Sequence, residues 1–217
     1  MICWEIRRGR TMLLQLKENS FLLRLLVLWM LLIFPRLTLA TASTPMDVIQ
    51  SNTDKVLAIL HESKTGQTQS LRQREGEILD VVSNYFNFDE MSKRSLGDHW
   101  KQQSPENLQQ FAKLFKKLLF NTYLDRMENY HDEKTFYDSQ KVDDGLASVK
   151  THFLHQDENI SIDYRLHKEE GQWKVYDVVV EGISYVDNYR SQIASILAHQ
   201  SFDSLLSMLR QKVERPD

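Results

Sequence analysis

The sequence predicts an α+β domain: an antiparallel sheet of about four strands wrapped by about six helices. Two observations carry this. Apolar residues recur every three or four positions up to about residue 123, every second position from about 134 to 181, and again at helical spacing from 185 onward. Elements segregated in this way belong to the α+β class rather than to alternating α/β folds. The composition agrees: hydrophobic residues are 41% and charged residues 26%, with seven Gly and four Pro in 217 residues, which suits a packed globular chain rather than a loop-rich one.

The first helix spans 46–63, with Val48, Ile49, Val56, Leu57 and Leu60 as its stripe, and Gly66 breaks it. The second, 70–87, turns Leu71, Ile78, Val82, Tyr85 and Phe86 inward. A turn at Asn87 leads into a short helix, 89–96, closed by Gly97. Ser104-Pro105-Glu106 starts the fourth, with Ser as N-cap and Pro at the first helical position. Leu108, Phe111, Phe115 and Leu118 follow at helical spacing, and Leu114, Leu119 and Tyr123 widen the stripe, so this helix buries more than one side.

Strands are expected at 134–142 and then along Ala147, Val149, Thr151 and Phe153. In the third, Ile160, Ile162, Tyr164 and Leu166 alternate with Ser161, Asp163, Arg165 and His167, as in a half-buried strand. Glu169 to Gln172 forms a hairpin turn. The strand at 173–181 is apolar on both faces, Val175 and Val179 against Tyr176, Val178 and Val180, which places it centrally with cover on each side. Gly182 ends it. Helices at 185–199 and 202–213 complete the chain.

Residues 1–42 read as a signal peptide. Arg7, Arg8, Arg10, Lys17 and Arg24 precede ten uninterrupted apolar residues, LLVLWMLLIF (25–34). Pro35 and an Ala40-Thr41-Ala42 cleavage pattern follow. The run is short of the about 20 residues a membrane span needs. Cleavage would leave a single domain, 43–217, of net charge −7, because the leader carries +4 of a chain at −3. It would also remove Cys3, the single cysteine, leaving no thiol or disulfide. A negative domain does not suit nucleic acid.

Chemistry-bearing patterns are sparse. His152 and His155 lie three apart on a strand, facing opposite ways and without a matching carboxylate, so they read as strand-end histidines rather than a metal site. Gly182-Ile183-Ser184 fits a helix N-cap better than a nucleophile elbow. Asp177, a lone acid in a two-sided apolar strand, is either paired structurally or a polar anchor or catalytic acid. Arg165 and Arg190 are candidate phosphate partners or solvated surface arginines. Neither catalytic residues nor a cofactor are nominated. An enzyme using Asp177, or a groove for a partner peptide, are readings these residues leave open.

The stretch 86–206 resembles the MlaC family, periplasmic phospholipid-binding components also called toluene-tolerance proteins. The matching segments are NFDEMSKRSLGDHW (87–100), SPE (104–106), FAKLF (111–115), LLFNTY (118–123), IDYRL (162–166), GQWKVYDVVVEGIS (171–184) and NYRSQ (188–192). Asn107-Leu108 intervene before Gln109, where the family pattern has Gln sooner. The resemblance implies a periplasmic, monomeric, non-enzymatic carrier with a bound phospholipid as its ligand, its acyl chains in an apolar pocket between sheet and helices. It would exchange lipid between an outer-membrane lipoprotein–porin complex and an inner-membrane MCE-type ABC transporter, maintaining outer-membrane asymmetry. Strand-face alternation and helical stripes then nominate the lipid contacts: Phe86, Met91, Phe111, Phe115, Leu118, Val149, Phe153, Ile162, Tyr164, Val178, Val180 and Ile193.

Overall fold

The computed structural model describes residues 43–62, 71–128, 134–155 and 158–214. The leader at 1–42 and the helix break at Gly66 lie outside them. Six helices and five strands run in the order α1 (Pro45–Glu62), α2 (Leu71–Tyr85), α3 (Phe88–Leu96), a 3₁₀ turn (Gly97–Gln102), α4 (Pro105–Glu128), β1 (Thr135–Asp143), β2 (Leu146–His155), β3 (Glu158–Glu169), β4 (Gln172–Val180), β5 (Ile183–Ser184), α5 (Tyr185–Leu197) and α6 (Phe202–Glu214). The class is α+β, as the sequence predicts.

Helix ends are closed by short polar side chains. Thr44 and Asp47 cap α1 reciprocally: Asp47 N–H donates to the Thr44 hydroxyl at 3.1 Å, and Thr44 N–H donates to the Asp47 carboxylate at 2.8 Å. These bonds hold the Asp47 carboxyl below its ordinary value. Asn87 accepts from Glu90 N–H, Ser104 from Asn107 N–H and Ser184 from Asp187 N–H, starting α3, α4 and α5. Gly97, at φ 57°, ends α3 in a conformation that suits glycine.

The strands form one antiparallel meander in the order β1-β2-β3-β4-β5. Two-residue turns join β1 to β2, β3 to β4 and β4 to β5. Each has positive φ at both positions (Asp144-Gly145, Glu170-Gly171, Glu181-Gly182), the form that follows the strand twist.

Two register breaks decide which side chains share a face. Leu166 pairs with Val175, but Arg165 pairs with Asp177, so Tyr176 is an extra residue in β4. Simple alternation groups Val175 with Val179; the bulge corrects this. Val175 shares a face with Val178 and Val180, while Asp177 and Val179 turn to the opposite face. Both faces of β4 are covered because the bulge sends its apolar side chains each way. In β1, Asp138 is the extra residue between Tyr137, opposite Thr151, and Ser139, opposite Lys150. The expectation of a central β4 is also corrected. Among the described residues, what lies beyond it is the two residues of β5 and a parallel bridge between Val175 and Phe86, where Asn87 N–H donates to the Val175 carbonyl at 2.8 Å.

Apolar side chains gather into two cores. One joins a sheet face to α1, α2 and the C-terminal half of α4, through Ile49, Ile78, Val82, Phe120, Val149, Leu166 and Val175. The other lies among α3, α4, α5 and α6, through Met91, Phe111, Phe115, Ile193, Leu205 and Leu206. Phe86 and Phe88 pack against both.

Candidate functional site

The inner sheet face is a set of cross-strand rows. Val142, Ala147, Leu166 and Val175 make the first; Gln140, Val149, Tyr164 and Val178 the second. Tyr137, Thr151, Ile162 and Val180 make the third, and Thr135, Phe153 and Ile160 the fourth. Cover varies along the face. In the first row Ala147, Leu166 and Val175 are buried and Val142 is 52% exposed; in the third and fourth, Thr151 is buried while Tyr137, Ile162, Val180, Phe153 and Ile160 are half-buried. Phe153, Ile160, Ile162 and Val180 belong to neither core. Beside Val180, Ile183 is 59% exposed. Phe153, Ile160, Ile162 and Val180 thus form a run of large apolar side chains without full cover.

Six of the twelve nominated positions come together here: Val149, Phe153, Ile162, Tyr164, Val178 and Val180 share this face. Phe86 stands at the seam between the cores. Met91, Phe111, Phe115, Leu118 and Ile193 are brought together elsewhere, in the helical core, where they are buried. Three further residues at this surface were not among the nominated contacts. Tyr85 enters from the last turn of α2. Tyr137 is placed on the face by the register of β1, and Ile160 is an unnominated member of the alternating strand. The alternation in β3 was the available signal for Ile160; nothing local marks Tyr137.

Asp177 is 1% exposed on the other face. Its Oδ2 accepts from Arg165 Nη1 at 3.0 Å and from the Ser184 hydroxyl at 2.7 Å, and its Oδ1 accepts from Val186 N–H at 3.0 Å. The carboxylate therefore fastens β3, β4 and the start of α5, which is the structural pairing of the two readings. Arg165 is held by it, and Arg190 donates to the Arg94 carbonyl and to Asp187. Both guanidinium groups thus have protein partners. Ser184 is the N-cap expected of it. His152 stacks on Phe136, centroids 4.7 Å apart, with Nδ1 2.9 Å from Asp138 Oδ2. Among the described residues no group of three His, Cys, Asp or Glu is placed to hold a metal.

An open cleft of about 470 Å³ lies outside the Phe86 seam. Asp89, Glu90, Lys93, Lys116, Glu169 and Lys174 are among its lining. Charged walls of this kind do not suit acyl chains; the sheet face does.

Two tyrosine groups lie near these surfaces. The Tyr123 and Tyr185 rings stack 4.5 Å apart, and the Tyr123 hydroxyl bonds those of Tyr185 and Tyr189. Burial, with these neighbours, pushes the Tyr123 phenol well above its ordinary range. Tyr85 is raised likewise, by burial first and then by Tyr164 and Tyr137.

Comparison with known proteins places this architecture. A family model described as MlaC protein matches residues 50–211. The intermembrane phospholipid transport system binding protein MlaC of Haemophilus influenzae is 25% identical over 189 residues, covering 82% of this chain and 86% of that protein. Toluene tolerance protein ttg2D of Pseudomonas putida is 29% identical over 185 residues, covering 84% and 86%. A solved phospholipid-binding protein from Ralstonia solanacearum, in complex with a phospholipid, has the same fold. Its TM-score is 0.71 at 24% identity, over 79% of this chain and 97% of that one.

Proposed function

The chain belongs to the MlaC family, and on that premise we propose that it is a monomeric periplasmic carrier that holds a phospholipid by its acyl chains and catalyses no reaction. In this reading residues 1–42 are removed on export, and the domain 43–217 carries lipid between an outer-membrane lipoprotein–porin complex and an inner-membrane MCE-type ABC transporter, maintaining outer-membrane asymmetry. What supports it most is the sheet face, where Phe153, Ile160, Ile162 and Val180 stay half-covered although the same chain builds a closed core among its helices. The names of the relatives point the same way.

The acyl chains would lie on Val149, Phe153, Ile162, Tyr164, Val178 and Val180, with Phe86 at their side. Met91, Phe111, Phe115, Leu118 and Ile193 would serve them indirectly, fixing α3, α4 and α5 so that Phe120 and Leu124 face the sheet. Each CH₂ taken from water contributes about 0.8 kcal/mol, so two chains bind firmly without catalytic chemistry. Loading requires α1 and α2 to move on the sheet, a helix-over-sheet motion on the scale of other ligand-gated closures.

Native mass spectrometry of the protein purified after expression in a Gram-negative host tests this. A species heavier by one phospholipid is expected. Protein that arrives empty and takes nothing from phospholipid vesicles would overturn the proposal.

A further inference from the structure

Val149 stands in the second row of the inner face and is 0% exposed. It is buried with Ile49 and Val56 of α1 and Ile78 and Val82 of α2. A lipid that is to lie on Val149 must displace these two helices. They pack side by side, α1 against β1 and β2 and α2 against β4, so that together they span the face.

The two ends of this pair are fastened unequally. Just past the end of α2, Asn87 N–H donates to the Val175 carbonyl at 2.8 Å, and Phe86 bridges to Val175. The Asn87 Oδ1 accepts from Glu90 N–H at 2.8 Å; its Nδ2 donates to Glu169 Oε2 at 2.9 Å and lies 3.2 Å from His167 Nε2. Beside it, the Lys174 ammonium donates to the Asn84 carbonyl. One junction is thus tied to α3, β3 and β4 together. At the start of α1 the tie is different. Met46 N–H, a donor of the kind a helix start leaves without an intrahelical partner, donates to Gln140 Oε1 at 2.9 Å. Gln140 is exposed, on the marginal strand β1, directly opposite Val149 in the ladder. A neutral bond to an exposed amide is readily exchanged for one to water. With residues 1–42 removed, as the carrier reading has it, the backbone passes from the helix pair into the rest of the domain at Asn87.

We propose that α1 and α2 form a lid on the inner face that turns about Asn87 and is latched at its far end by Met46 on Gln140. Release of the latch lifts the start of α1 from β1 and uncovers the row of Val149 to an incoming lipid. The ties at Asn87 keep α3, and with it the helical core, in place while the lid moves. This rests on the carrier reading above and names the moving part of that carrier.

Crosslinks at the two ends test it. The full chain carries Cys3→Ser, so that introduced cysteines are its only thiols. Ethanediyl bismethanethiosulfonate bridges Met46→Cys/Gln140→Cys at the latch, or Asn84→Cys/Lys174→Cys at the pivot, and intact mass reads the bridging. Each bridged protein is compared with the same variant blocked by methyl methanethiosulfonate, which shares any folding cost of the substitutions. The measurement is the rate of uptake of pyrene-labelled phosphatidylcholine from phosphatidylcholine vesicles. The latch bridge should slow uptake about tenfold or more, and dithiothreitol should restore it. The pivot bridge should leave the rate within about twofold. Gln140→Ala, which opens the latch and needs no crosslink, should speed uptake about threefold. Equal uptake by the bridged and blocked latch variant overturns the lid and leaves the carrier standing. A pivot bridge that slows uptake as much as the latch bridge, or an unchanged rate in Gln140→Ala, does the same. No uptake by the unaltered protein overturns both.

Discussion

The helical core and the inner sheet face are built from the same kinds of side chain and finished differently. Among the helices, Phe111 and Phe115 are 0% and 1% exposed, stacked with centroids 5.4 Å apart, with Tyr189 edge-on to Phe115 and Phe202 beside Phe111. On the sheet, Phe153, Ile160, Ile162 and Val180 present comparable apolar area with cover incomplete. Completed packing is a source of stability; apolar surface left short of cover is, in the proposed function, where the ligand would lie. The division between the two is made at Phe86 and Phe88, which touch both cores.

Truncation should separate the regions most sharply. Phe111→Ala empties a filled site and should cost about 3–5 kcal/mol in urea unfolding. Ile162→Ala, at a half-covered site, should cost about 1 kcal/mol or less in the lipid-free protein. Equal losses would mean that the face is packed core after all. Next in size is Asp177→Ala, which strands Val186 N–H and the Ser184 hydroxyl and releases Arg165. About 2–3 kcal/mol should be lost, with Asp177→Asn recovering part of it. The half-exposed Arg165 keeps the ionic share small. An unchanged midpoint for the alanine variant would deny that this carboxylate fastens α5 to the sheet. The smallest effect on folding and the clearest on ligand should come from Val178→Gln. Stability should move by about 1 kcal/mol or less, because the side chain is only half-buried, while co-purified lipid falls severalfold. Lipid content unchanged in that variant and in Ile162→Gln would remove these residues from the binding surface.

Much of this was legible in the sequence. The alternation of β3 marked its inner face correctly. Ser104-Pro105-Glu106 and Gly182-Ile183-Ser184 announced helix starts, because capping is local chemistry. The bulges were not legible. The extra residues, Tyr176 and Asp138, are ordinary strand or loop residues with no glycine beside them, and one added residue reverses every face assignment beyond it. This is why Val175 and Val179 look like partners in the sequence and point apart in the fold. The assignment of apolar helix positions to one core or the other was also hidden. Phe120 and Phe115 lie on one helix with similar spacing to their neighbours, and only the packing of α6 and of the sheet separates them.

The break in β1 at Asp138 has a bearing on life at high concentration. Among the described residues β1 is the margin of the sheet, where another chain could add a strand. The bulge interrupts the regular backbone ladder within that margin, and Asp138, Lys141 and Asp143 stand exposed along it. Edge-to-edge stacking of molecules is thereby discouraged at the place where it would most easily begin.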